Sequence, residues 1–452
     1  MGGSNKMHFL RKTAVRGTRP FLIIAVAFGG LILLGTILLM LPVATKDGQG
    51  TSFADALFTA TSAACVTGLV VHNTATYWSL FGQVVILVLI QIGGLGVVTV
   101  VVGVRALRRQ RISLRERTIM QESLSASKIG GVIRSTRFII VTTIGMELIG
   151  ALLLLPVFVP RFGWEGGSGE AIFHAVSAFC NAGFDLLSTK QPYQSLLAYS
   201  TNVDMNLVIG FLILIGGLGF ITWIDVRKHG WHVRRYHLQS KIVLVATVFL
   251  LLVPMVYFFC CEFQNFPMKK RLLMSFFQTV SPRTAGFNTV PLAQLSDNGK
   301  FMTILLMFIG GGTGSTAGGI KMTTAGVLFC ACLAVIFRRR EVTAFSRRIA
   351  PRTIFRAAAI FTLYLNLLIV AAMVISSVEH LALLTSLFEC ASALDTVGLT
   401  LGVTPLLHLS SRLLLILLMF IGRVGSLTVV FAVGSHPTKF QARYPEETVN
   451  VG

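Results

Sequence analysis

The sequence predicts an all-α polytopic membrane protein with four tandem helix, pore-loop, helix repeats around a pseudo-fourfold central pore. Three observations predict it: an apolar composition, basic residues gathered in alternate connections, and one short pattern that recurs four times between paired apolar segments.

Hydrophobic residues make up 54% of the 452 residues and charged residues only 13%, with a mean hydropathy of +0.76. A water-facing surface needs more interspersed charge than that. Residues 21–43 carry no charge between Arg19 and Lys46, and at about 1.5 Å per residue such a run crosses a hydrocarbon core of about 30 Å. The run exceeds a signal-peptide core and lacks a small-residue cleavage pattern behind it, so it reads as a retained span.

Lys and Arg number 39 against 18 Asp and Glu, and 28 of the 39 fall within 1–19, 105–137, 227–241, 338–356 and 436–452. These segments follow every second apolar stretch, as the positive-inside rule requires of cytoplasmic connections, so both termini are expected in the cytoplasm. Basic groups beside membrane spans point to membrane lipid as their neighbour, and no nucleic acid is expected. Cys65, Cys180, Cys260, Cys261, Cys330, Cys332 and Cys390 show no C-x-x-C pair and no metal-ligand spacing. They read as small buried hydrophobes. No H-E-x-x-H, G-x-S-x-G or P-loop pattern occurs, so an enzyme is not expected.

The recurring pattern is a Phe, three residues, a small residue, then a Gly followed by Leu or Phe. Its copies are FTATSAACVTGL (58–69), FHAVSAFCNAGF (173–184), FQTVSPRTAGF (277–287) and FECASALDTVGL (388–399). The glycine lies ten residues after the Phe in copies one, two and four, and nine after it in copy three. Apolar segments bracket each copy: 20–43 and 77–104, 133–160 and 200–226, 240–262 and 301–337, 354–378 and 408–435. The expected units are 20–104, 133–226, 240–337 and 354–435, with cytoplasmic ends at 1–19 and 436–452. Each bracketed segment is too short to cross, so it should enter and leave on one side. Non-helical backbone at that depth is tolerated where it is buried in protein or lines a water-filled path.

A cation crossing lipid exchanges hydration water for fixed oxygens, which rings of backbone carbonyls supply. Glycine accepts the positive φ that turns carbonyls toward one axis. The short helix before each loop, such as 52–64 or 167–179, aims its negative C-terminal end at the same axis.

VTGL at 66–69, NAGF at 181–184, RTAGFN at 283–288, TVGLT at 396–400, GGGTGSTAGGIK at 310–321 and FIGRVG at 420–425 together resemble the Trk/Ktr/HKT potassium transporter superfamily. Closest in kind is the KtrB-type membrane subunit of bacterial Ktr systems. The resemblance implies K+ at filter carbonyls of Val66, Thr67, Asn181, Ala182, Thr284, Ala285, Thr396 and Val397, set by Gly68, Gly183, Gly286 and Gly398. In that family glycine in all four loops goes with potassium preference, and serine in the first goes with sodium permeation. Cys65, Cys180 and Asp395 stand just ahead of their filters. Asp395 departs from the small uncharged residue of the family pattern. It either attracts cations or is hydrogen-bonded behind the filter.

The segment 301–337 is too long for one crossing and holds six glycines between Gly310 and Gly319. Each costs about 1 kcal/mol in a helix interior, so the helix should break there. The resemblance implies a gate built from Gly310, Gly311, Gly312, Thr313, Gly314, Ser315, Thr316, Ala317, Gly318, Gly319 and Lys321, held partly by Arg423. Arg at a helix centre costs about 2.5–3.5 kcal/mol on insertion scales, so loop carbonyls or a carboxylate should serve it, Glu147 being one candidate. The resemblance further implies a homodimer and a cytosolic octameric RCK-type (KtrA/KtrC-like) regulatory subunit that binds ATP or ADP. The nucleotide would act only through that partner, with 105–117 and 338–348 as docking surfaces. Potassium uptake into a bacterial cell is the implied function, with sodium dependence open. An alternating-access cation symporter and a less selective K+/Na+ channel are the alternatives.

Overall fold

A computed structural model describes residues 3–107, 116, 132–188 and 194–425, without the side chains of 3–21, 104–107 and 132. In the first repeat α1 (Gly3–Met40) leads to the short α2 (Phe53–Ala64), then α3 (Leu80–Leu95) and α4 (Val97–Leu107). Ser52 starts α2 by accepting from Asp55 N at 3.2 Å, which satisfies one orphan amide of the first turn. In the second repeat α5 (Val132–Phe179) is one run of helix broken at Gly163, where φ is 72° and ψ 179°. Its last part is thus a separate short helix aimed at the second filter. It is followed by α6 (Val203–Gly217) and α7 (Phe220–His229).

The third repeat contains α8 (Leu238–Tyr257), the short α9 (Met268–Val280), α10 (Asp297–Phe308) and α11 (Met322–Ile336). A two-stranded antiparallel hairpin, β1 (Thr343–Ala344) on β2 (Arg347–Arg348), joins it to the fourth. There α12 (Pro351–Glu379), the short α13 (Leu383–Leu394) and α14 (Leu409–Val424) complete the chain described. Carboxylates at the ends of two outer helices cap their inner partners. Glu262 accepts from Ser296 N at 2.7 Å, and Glu379 accepts from His408 N at 2.9 Å.

The helices Leu22–Met40, Ile133–Phe179, Leu238–Glu262 and Pro351–Glu379 are each long and apolar enough to cross a membrane. The second spans differ from the expectation of continuous helices. Leu80–Leu95 meets Val97–Gly103 at 91°, and Val203–Gly217 meets Phe220–His229 at 93°. The cause is a glycine of positive φ at each corner: Gly96 at 85°, Gly219 at 92° and, closing α14, Gly425 at 95°. The local sequences are IGGLG at 92–96 and 215–219 and IGRVG at 421–425, with IGGGTG at 309–314 in the third repeat. A break expected in one inner span therefore occurs at the matching point of the first two repeats as well, and the fourth inner helix ends at the equivalent glycine.

The short helices and filter loops lie in the interior, where Phe58, Phe173, Phe277 and Phe388 are buried. Large apolar side chains such as Leu33, Val88, Leu152, Val248 and Val370 face outward, as a lipid-facing surface requires. The cysteines need a correction: Cys65, Cys180 and Cys390 are buried, but Cys260, Cys261 and Cys332 are exposed and Cys330 is intermediate. A helix face against lipid is as apolar as one against protein, so hydropathy does not separate the two. Residues 426–435 of the eighth span, the tail 436–452, and 108–115 and 117–131 of the basic connection lie outside the described residues.

Candidate functional site

Each glycine loop is held from behind by its own short helix. Thr67 N donates to Ser62 O, Ala182 N to Ser177 O and Val397 N to Ser392 O, all at 2.7 Å. In the shorter third copy Ala285 N donates to Ser281 O at 2.9 Å, four residues back instead of five. Gly68 N and Gly398 N donate further to Ser62 Oγ at 3.1 Å and Ser392 Oγ at 3.0 Å. A peptide N–H and the carbonyl of its own plane point oppositely. With these amides turned back onto the helices, the carbonyls of Val66, Thr67, Asn181, Thr284, Thr396 and Val397 face the other way, into the space between the loops.

That orientation requires left-handed backbone. Val66, Asn181, Thr284 and Thr396 have φ of 60°, 60°, 68° and 51°, and the glycine two residues on is positive in every copy. Non-glycine residues rarely adopt φ > 0 without a local reason. Here the same strain recurs at four equivalent positions.

The four loops close into one ring. A Cβ added to Gly183 would lie 2.7 Å from Ala285 O and 2.8 Å from Gly286 Cα. One on Gly286 would lie 2.5 Å from Val397 O and 3.3 Å from Gly398 Cα. On Gly398 it would overlap Thr67 O and lie 2.9 Å from Gly68 Cα, and on Gly68 it would overlap Ala182 O and lie 3.2 Å from Gly183 Cα. Each glycine thus packs on the carbonyl that precedes the glycine of the next copy, and the fourth returns to the first.

Behind the ring the copies diverge at the position three before the glycine, which is Cys65, Cys180, Arg283 or Asp395. All four are buried. Cys180 Sγ lies 3.6 Å from Gln91 Oε1 and 3.8 Å from Glu147 Oε1, and Gln91 Nε2 donates to Glu147 Oε2 at 3.1 Å. Arg283 reaches Thr247 Oγ1 at 3.4 Å and Met322 Sδ at 3.6 Å. Asp395 Oδ1 accepts from Ile320 N at 3.3 Å and packs on Gly319. Of the two readings of Asp395, this geometry favours the hydrogen-bonded side chain behind the filter.

Residues 309–321 connect α10 to α11 without helix. The loop folds on itself, with Gly310 N donating to Ile320 O at 2.8 Å and Met322 N to Gly311 O at 3.0 Å. Thr313 and Thr323 share a hydroxyl contact at 2.5 Å, and Lys321 Nζ curls back to Ala317 O at 2.6 Å and Gly318 O at 3.2 Å. The corner between α6 and α7 clasps it: Gly312 N donates to Gly217 O at 2.8 Å, Thr316 N to Gly216 O at 3.4 Å, and Phe220 N to Gly314 O at 2.7 Å. Those carbonyls and that amide are the orphans of a helix end and a helix start. Ser315 Oγ is buried without a partner among the described residues.

Thr316 reaches the second glycine loop, since its Oγ1 donates to Phe179 O or Asn181 Oδ1, each at 3.2 Å. Arg423 holds it from the other side. One guanidinium nitrogen donates to Thr316 O, the other to Gly93 O at 2.5 Å and Gly94 O at 2.9 Å. Glu147 is not its partner, because that carboxylate is engaged with Gln91 and Cys180. Thr316 O of the loop and the carbonyls at the end of α3 serve Arg423 instead.

The sequence matches the TrkH family of cation transport proteins over residues 3–444. The chain belongs to the TrkH family. It is 41% identical over 457 residues to the "Potassium/sodium uptake protein NtpJ" of Enterococcus hirae, covering 99% of this chain and 100% of that one. It is 39% identical to the "Ktr system potassium uptake protein B" of Bacillus subtilis, covering 97% and 98%. In fold it is similar to the potassium transporter TrkH of Vibrio parahaemolyticus, with a TM-score of 0.73 and 19% identity over 91% of this chain and 84% of that one.

Within this TrkH-family chain two sets of residues escaped the sequence reading. Ser62, Ser177, Ser281 and Ser392 occupy the small-residue position of every copy, and their identity across four copies was the available signal. Besides the bonds above, Ser177 Oγ donates to Phe184 O at 2.8 Å and Ser281 Oγ to Phe287 O. The second set is one glycine near the end of the inner helix in the first, second and fourth repeats. A Cβ on Gly93, Gly216 or Gly422 would overlap Ala64 O, Phe179 O or Leu394 O, the carbonyl at the end of the short helix of the same repeat.

Proposed function

We propose that this chain takes up potassium across the bacterial cell membrane through the four-loop ring, with the 310–321 loop as an intramembrane gate. One observation carries the reading: the glycine of each loop packs on the carbonyl before the glycine of the next, and the series closes. A closed set of backbone oxygens is the chemistry that replaces the hydration shell of an alkali cation. The relatives named for potassium uptake support the choice of ion, and the name "Potassium/sodium" of one supports a role for sodium as well.

The gate reading is supported by Thr316, which bonds the underside of the second filter and is bonded by Arg423. In this reading the chain moves ions and performs no enzymatic step. Both termini lie in the cytoplasm, supported by the basic residues in alternate connections. It works as a homodimer with a separate RCK-type ring that senses ATP or ADP. The exposed hairpin that carries Arg347 and Arg348 is one surface for that ring.

Growth of a potassium-uptake-deficient bacterium at low K+, with and without an RCK partner, tests the reading. The wild-type chain should restore growth, more strongly with the partner. Gly68→Ser should still support uptake but lower the preference for K+ over Na+, since its Cβ would overlap Ala182 O and distort the oxygen ring. Failure of the wild-type chain to restore growth, or unchanged ion preference in the variant, would count against it.

A further inference from the structure

A cavity of about 40 Å³ lies against the ring, bounded by Gly68, Gly183, Gly286 and Gly398. Among the described residues that line it Asp185 is the one charged side chain, and Ser188, Ser195, Asn288 and Thr400 add neutral oxygens. The Asp185 carboxyl is fixed at one oxygen. Its Oδ1 accepts from Leu187 N at 3.1 Å, Ser188 N at 3.2 Å and Ser188 Oγ at 2.9 Å. Its Oδ2 takes part in none of these bonds.

The same network ties the carboxyl to the third repeat. Ser188 Oγ accepts from Ser195 N at 3.0 Å, and Ser195 Oγ accepts from Asn288 N at 3.3 Å. Asn73 Nδ2 donates to Ser188 O at 2.6 Å, which adds the first repeat. Three of the four post-filter loops therefore set where Asp185 stands relative to the ring.

We propose that Asp185, with the oxygens around it, forms an entry site that captures a partly dehydrated K+ before it reaches the ring. The inference rests on the potassium-uptake reading. A water needs about 10–15 Å³ of such space, so the cavity holds roughly three. An ion there keeps part of its shell and takes the rest of its ligands from the protein. Burial pushes the Asp185 carboxyl above its ordinary value, and a cation beside Oδ2 offsets that by favouring the charged form. A fixed negative charge in a concave, low-dielectric wall raises the local concentration of cations.

Asp185→Asn separates charge from scaffold, because the amide oxygen can still accept the three donors that Oδ1 accepts now. In K+ uptake by cells or proteoliposomes at low ionic strength, D185N should raise the KM for K+ about tenfold, the low end of electrostatic focusing. The maximal rate should stay near wild type. Raising ionic strength with an impermeant salt should narrow the difference, since the Debye length falls from about 30 Å at 0.01 M to about 8 Å at 0.15 M. Asp185→Ala, which also removes the acceptor, should show at least the same rise in KM. If D185N behaves as wild type while D185A is impaired, Asp185 is only a loop staple and the proposal is overturned. It is also overturned if the rise in KM does not respond to ionic strength. Absence of K+ uptake by the wild-type chain would instead remove the functional reading itself.

Discussion

Arg423 is one residue that joins three repeats, since its own is the fourth, Gly93 and Gly94 belong to the first and Thr316 to the third. A hydrogen bond to a charged group contributes about 1.5–3 kcal/mol, and about 1.4 kcal/mol is tenfold in an equilibrium. In the gate reading, losing the bond to Thr316 alone should therefore shift the loop measurably toward a displaced position. Arg423→Ala is expected to raise K+ flux in proteoliposomes without any regulatory partner by tenfold or more. Glu147→Gln keeps Gln91 and Cys180 as neighbours and should leave that basal flux near wild type. Equal basal flux in wild type and Arg423→Ala would show that Arg423 does not hold the loop. The depth of Arg423 and Glu147 was readable from their places in apolar segments. Their pairing was not, because sequence position gives height along a span and says nothing of which way round the helix a side chain points.

Two of the inner helices turn sharply at a glycine of positive φ. The four filter loops were legible because a Phe, a small residue and a Gly recur in the same order between paired apolar segments, with one residue fewer in the third copy. The corners were equally periodic, yet small residues in an apolar helix also serve simple packing between membrane helices, and that ambiguity concealed them. Only the broken segment of the third repeat, with its six glycines, exceeded what packing explains. Cβ geometry now separates the two uses. Gly145 has nothing within 4 Å of an added Cβ, whereas Gly216 would overlap Phe179 O and lie 2.9 Å from Asn181 Oδ1. Gly145→Ala should leave uptake and thermal stability within error or slightly raised, as expected of Ala for Gly in a helix. Gly216→Ala should abolish most uptake while the protein still reaches the membrane, measured by transport beside a membrane-fraction blot. Normal uptake by Gly216→Ala would mean that the corner does not position the second filter.

At the scale of the whole molecule, a chain with two ends must be closed on itself to make a ring. Part of that closure lies between the first and fourth repeats. Arg412 of α14 donates to Asp55 of α2 at 2.8 Å, and its other nitrogens donate to Leu407 O at 2.9 Å and Pro405 O at 2.8 Å. Asp55 also faces His72 at 3.3 Å. Both partners are only partly accessible, at 23% and 19%, so the pair is less screened than a surface one. Asp55→Ala should lower the unfolding free energy by about 1–3 kcal/mol through the uncompensated Arg412. A thermal melt in detergent checks it, and an unchanged midpoint would place the closure elsewhere.

If the 310–321 loop moves as the proposed gate, the clasp at the α6 to α7 corner parts with it. Gly216 O and Gly217 O, now occupied by amides of that loop, would be uncovered on the wall of the passage just vacated. Helix-end carbonyls carry partial negative charge, and water or a passing ion can take over the role of the departed donors. Latch and lining would then be the same atoms, so that unlocking the conduit also furnishes it.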